Sequence, residues 1–193
     1  MSIRNEIVYL LGFLVVTWVI ATLAVWYAWH YQDTSQDVLY DLLFQVFPDR
    51  SDITVPIPNF IGIASMVVAI TSLNGKHWGY ICQFLLLNGL ILALRSLTST
   101  LTLLPNIHVY DYCRDTPTSF FDVVQKQLEH GTCADYMFSG HTALVFLLYM
   151  FTHRHHYNYW FEFVNGLLVG AMSVTLIVLR WHSTVDILVA IVI

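Results

Sequence analysis

Six side chains in this sequence set an ionisable group within or beside apolar sequence: Arg95, His141, Glu162, Arg180, His182 and Asp186. Such groups are costly to desolvate at membrane depth and are rarely idle there. His182 and Asp186 stand four residues apart in R-W-H-S-T-V-D, so on a helix they would share one face. An aspartate so placed accepts a hydrogen bond from one imidazole nitrogen, fixes the tautomer and leaves the other nitrogen as nucleophile or base. The same spacing also occurs in pairs that merely terminate a helix at an interface, and spacing alone does not separate the two. Ser139-Gly140-His141 stands at the mouth of another apolar stretch. The small step at Ser139 and Gly140 lets backbone N–H groups approach an anionic oxygen, and His141 beside them can protonate a leaving oxygen. Arg95 opens R-S-L-T-S-T-L-T-L-L-P at residues 95–105. Its planar fork suits a phosphate, although an arginine at a span end also serves simply to snorkel.

The elements that must position these groups are apolar helices. Residues 7–29 carry no charged side chain, and 23 residues exceed the ~30 Å hydrocarbon core at 1.5 Å per residue. Uncharged or nearly uncharged stretches recur at 53–75, 78–94, 136–152, 157–179 (with Glu162) and 185–193 (with Asp186). Pro56 and Pro58 place the start of the second helix near Asn59. The reading is an all-α, polytopic membrane protein. It forms a single domain over 1–193, a six-span helical bundle with spans near 7–29, 59–75, 78–104, 136–152, 157–179 and 183–193. The last is expected to be truncated, since nine apolar residues cover less than half the hydrocarbon core.

Composition agrees. Hydrophobic residues make up 57% and charged residues 11% of the chain, with mean hydropathy +0.63, against roughly 25% charge in an average soluble domain. A net charge of −5 excludes a nucleic-acid binder built on a basic surface. Residues 30–52 and 105–135 are acidic connections, whereas Arg4, Lys76 and Arg154 fall on the opposite side of a six-span arrangement. This suggests a cytosolic N-terminus, and a lumenal or extracellular face carrying Arg95, His141, Arg180, His182 and Asp186.

In order and spacing these segments resemble the sphingomyelin synthase family, within the lipid phosphatase/phosphotransferase superfamily. The matching strings are R-S-x-T-x-x-x-T-x-L-P at 95–105, C-x-D-Y-x-x-S-G-H-T at 133–142 and H-x-T-V-D at 182–186, with a weaker Pro-Asp match at Pro48 and Asp49. The resemblance implies a catalytic triad of His141, His182 and Asp186. His182 would attack a phospholipid phosphorus to give a phosphohistidine, Asp186 would orient it, and His141 would serve the two oxygens in turn. Arg95, Arg180, Ser139 and Gly140 would hold the phosphate, and Asp135 would support His141. The partners implied are membrane lipids: ceramide, a glycerophospholipid donor and the diacylglycerol product. Homo-oligomerisation is left open, and neither a cofactor nor a metal is expected. The implied location is a multi-pass protein of the Golgi, another endomembrane or the plasma membrane, with its site on the lumenal or extracellular face. Ser183 stands where the family usually has tyrosine.

Two other readings compete. A lipid phosphate phosphatase would run the same chemistry onto water, but no Arg-Pro follows Lys76 at the spacing of that class. A non-catalytic membrane scaffold would be favoured by loss of a triad residue, and all three are present. Cys113 and Cys133 lie on the side assigned to the lumen, where a disulfide is permitted. His153, Arg154, His155 and His156 read as a solvated turn rather than a metal site.

Overall fold

The computed structural model describes residues 3–31, 41–53, 56–72, 78–101, 117–130, 139–155 and 158–193. Cys113, Cys133 and Asp135 lie outside them. Among the described residues all regular structure is helical: α1 (Ile3–Tyr31), α2 (Leu42–Val46), α3 (Ile57–Ser72), α4 (Trp78–Leu101), α5 (Phe120–His130), α6 (Gly140–His155), α7 (Tyr159–Val178) and α8 (Thr184–Val192).

Three helical stretches are long and apolar enough to cross a membrane: Ile7–Tyr31, Gly79–Leu101 and Tyr159–Val178. α3 is a shorter apolar helix of 16 residues, about 24 Å at 1.5 Å per residue. α6 is also 16 residues long, and α8 has nine. By length and composition the described residues therefore supply three candidate spans rather than six. Their outer faces carry large exposed apolar side chains such as Val15, Ile63, Leu97 and Leu167, which suit contact with hydrocarbon.

Helix boundaries follow local chemistry. α3 starts at Ile57 with Pro58 in its first turn, where a missing N–H is tolerated, two residues earlier than Asn59. Ser139 caps α6 by accepting from Thr142 N at 3.2 Å, so this helix begins at Gly140. Asn158 caps α7 through Trp160 N.

α1 packs most extensively along α4, where Gly89 leaves room for the Phe13 ring; a Cβ there would lie 2.5 Å from Phe13 Cε1. α5 covers α1, burying Val123 against Val25, Ala28 and Trp29. α3, α6 and α7 pack together around a buried polar relay. Ser65 Oγ donates to Asn165 Oδ1 at 2.8 Å, and Asn165 Nδ2 donates to Thr152 Oγ1 at 2.6 Å. Three helices are thus tied at one level by groups whose hydrogen-bonding capacity is met inside the bundle. α6 also contacts α4 and α8, joining the two groups of helices.

Candidate active site

The chemistry gathers at one end of the bundle. The amino ends of α3, α6 and α8, the last turns of α4 and the turn leaving α7 contribute Asn59, His141, Asp186, Arg95 and His182. Backbone N–H of Ser139 donates to Asp186 O at 3.1 Å, which joins the Ser-Gly-His step to α8. The Trp181 ring meets His141 edge-on at 6.0 Å.

His182 and Asp186 meet, but not as two residues on one helical face. α8 begins at Thr184, so His182 precedes it, and Ser183 is the N-cap of a capping box. Asp186 Oδ2 accepts from Ser183 N at 2.9 Å and approaches His182 Nδ1 at 3.4 Å. Both side chains are buried. The carboxylate faces Nδ1 and leaves Nε2 as the other imidazole position. The 3.4 Å separation is long for a hydrogen bond, so the capping contact with Ser183 N is the tighter of the two.

Asn59 is a site residue that sequence reasoning treated only as a helix start. Its Oδ1 lies 2.8 Å from His141 Nε2, so with Nε2 as donor the Nδ1 position is left for exchange with a substrate. No local signal marks this pairing, because the two residues are 82 positions apart.

Arg95 lies against Gly140. A Cβ at that glycine would stand 2.9 Å from the guanidinium carbon, so the absence of a side chain is what admits the arginine. A cation at the amino end of α6 opposes the helix dipole, whereas an anion held between them would be favoured by both. An apolar groove of about 420 Å³ runs beside these residues between α4, α6 and α8, lined among others by Leu90, Leu94, Ala143 and Leu147.

Arg180, expected at the phosphate, turns Nη2 and Nε toward residues 44–49. Its Nη2 donates to Phe44 O at 2.7 Å and Phe47 O at 3.1 Å. Its Nε lies 3.7 Å from Asp49 Oδ2, and its guanidinium sits 4.1 Å over the Phe44 ring. Glu162 lies at the opposite end of the bundle, where it meets His153 Nδ1 at 2.7 Å; His155 stacks on Tyr80 nearby.

Asp41 was also missed. Its carboxylate accepts from Thr184 N at 2.5 Å, from Thr184 Oγ1 at 2.6 Å and from Leu43 N at 2.9 Å. Burial opposes its ionisation, but the hydrogen bonds from Thr184, Leu43 and Phe44 outweigh this and hold the carboxyl below the ordinary range.

Residues 132–193 match the family described as PAP2 superfamily C-terminal. Phosphatidylcholine:ceramide cholinephosphotransferase 2 of Rattus norvegicus is 35% identical over 63 residues, covering 32% of this chain and 17% of that protein. The Homo sapiens protein of the same name is 32% identical over 63 residues, with the same shares covered. The match thus spans about a sixth of these relatives' length. Residues 132–193, which match the family, contain His141, His182 and Asp186 but not Arg95 or Asn59. Residues 132–193 are thus similar to the PAP2 superfamily C-terminal family, and a 63-residue stretch of the chain is similar to the ceramide cholinephosphotransferases.

Proposed function

We propose that this protein is a membrane-embedded phosphotransferase that moves a phospho-headgroup from a glycerophospholipid to ceramide. The observation that carries the reading is the gathering of His141, the His182–Asp186 pair and Arg95 at one end of an apolar bundle, with Arg95 seated on Gly140. The similarity to phosphatidylcholine:ceramide cholinephosphotransferases supports the same class of reaction.

In this reading His182 Nε2 attacks the phosphorus, and the bond from phosphorus to the glycerol oxygen breaks. His141 supplies the proton that this oxygen takes as diacylglycerol departs. The ceramide hydroxyl then gives its proton to His141 and attacks the phosphohistidine, and the P–N bond breaks to free His182. Asp186 orients His182 and stabilises its charged form, as the acidic member does in other triads. Arg95 and the backbone N–H of Gly140 hold the phosphate oxygens, with Ser139 fixing the start of α6 beside them. The groove beside the site accepts hydrocarbon chain. In this reading the bundle lies in the membrane and presents this end to the lumen or the exterior.

The deciding experiment uses vesicles containing labelled ceramide and, separately, choline, ethanolamine or inositol phospholipid donors. A labelled phosphosphingolipid that disappears in His182→Ala and Asp186→Asn supports the reading. Loss of an orienting aspartate lowers kcat about 10⁴-fold in the serine protease template. A free phospho-headgroup or inorganic phosphate as sole product identifies a hydrolase instead. Normal turnover of His182→Ala refutes the nucleophile.

A further inference from the structure

α7 ends in a turn that normally calls for glycine. Arg180 N donates to Ile177 O at 3.1 Å and Trp181 N to Leu176 O at 2.9 Å, the paired bonds of a Schellman ending. Arg180 has φ 58°, the left-handed conformation in which a Cβ is penalised and glycine is the usual occupant. An arginine held there points to a use for its side chain. That side chain grips residues 44–49 through two backbone carbonyls, the Phe44 ring and Asp49. Arg50 N adds a bond to Val178 O at 3.0 Å. On the far side of His182, Asp41 takes both the N–H and the hydroxyl of Thr184. The turn 180–184 is therefore pinned at both ends by one segment, with the buried His182 between the two anchors.

We propose that residues 41–50 are a brace that sets the position of His182, with Asp41 and Arg180 as its anchoring side chains. Both are positioning residues, and the proposal rests on the reading of His182 as the reacting nucleophile. Loss of a group that orients a reacting side chain typically lowers activity about 10–100-fold.

Arg180→Gly separates the backbone from the side chain, because glycine suits the turn but cannot grip. The full chain is compared with Arg180→Gly, Asp41→Ala, Thr184→Ser, Thr184→Val and the Asp41→Ala/Thr184→Val double variant. Turnover is followed in phosphatidylcholine vesicles carrying labelled ceramide. Access to His182 is followed independently of turnover, as its rate of carbethoxylation by diethyl pyrocarbonate read by mass spectrometry. The brace predicts that Arg180→Gly and Asp41→Ala lower kcat about 10–100-fold with KM changed less than about threefold, and raise the modification rate. Thr184→Ser retains turnover because the hydroxyl remains, whereas Thr184→Val loses part of it, and the double variant is no worse than Asp41→Ala alone. An unchanged modification rate in both Arg180→Gly and Asp41→Ala overturns the brace, as does a loss confined to KM. Should Asp41→Ala or Arg180→Gly fail to fold, the contrast between Thr184→Ser and Thr184→Val decides, and equality of those two overturns it. His182→Ala run in parallel tests the underlying reading: turnover in that variant removes the nucleophile, whatever the modification rates show.

Discussion

Replacing Asn59 with leucine keeps much of the side chain's volume but removes the oxygen that meets His141 Nε2 at 2.8 Å. A neutral hydrogen bond contributes about 0.5–1.5 kcal/mol net, and a buried group left without its partner costs about 1–3 kcal/mol. His141 is only partly buried, so the loss falls at the lower end for stability. Its effect on rate is larger in kind. With Nε2 held by Asn59, Nδ1 is the nitrogen that exchanges a proton with the leaving and attacking oxygens, and a released ring samples both tautomers and other rotamers. Each 1.36 kcal/mol of lost transition-state orientation is tenfold in rate, so about 1.4–2.7 kcal/mol corresponds to a 10–100-fold fall in kcat. Steady-state headgroup transfer in vesicles reads this directly, with KM for the donor changed less than about threefold, because Asn59 acts through His141 and not on the phosphate. Asn59→Leu with unaltered kcat, in a preparation where His141→Ala is inactive, refutes the reasoning.

Gly140→Ala should leave α6 at least as stable, because alanine is favoured over glycine in a helix by about 0.5–1 kcal/mol, yet reduce transfer by displacing Arg95; unchanged KM and kcat would show that the arginine yields without consequence. Asn165→Leu breaks the relay from Ser65 to Thr152 and should lower stability by about 1–3 kcal/mol, read as Tm in detergent. The Asp41 carboxyl has a lowered pKa in the folded state, so its contribution is complete above the unfolded value near 3.8 and is lost as pH falls through the lower folded value. The Tm difference between the native chain and Asp41→Asn should therefore be flat from about pH 5 to 8 and shrink only below about pH 4. Differential scanning fluorimetry across that range checks it.

Much of the helical frame was legible because its signal is local. An uncharged stretch such as residues 7–29 has few alternatives to a long apolar helix, since backbone polar groups in hydrocarbon must be satisfied within the segment. Boundaries were read less well. Ser139 and Ser183 act as caps, and this moves the start of α6 to Gly140 and leaves His182 outside α8. The His182–Asp186 pairing was visible as a spacing, but the structure forms it through a capping box.

What the sequence by itself determined were the properties carried by neighbouring residues: apolar length, the close approach of His182 and Asp186, and the small step before His141. Only the tertiary structure decided that Arg95 lies on Gly140, that Asn59 holds His141, and that Arg180 and Asp41 grip opposite ends of the His182 turn. Asp41 and Thr184 are 143 positions apart, and Arg180 and Phe44 are 136 apart. An amide, a carboxylate or a guanidinium is chemically suited to many partners. Until helix packing fixes distance and excludes water, nothing in the local chain favours one partner over another.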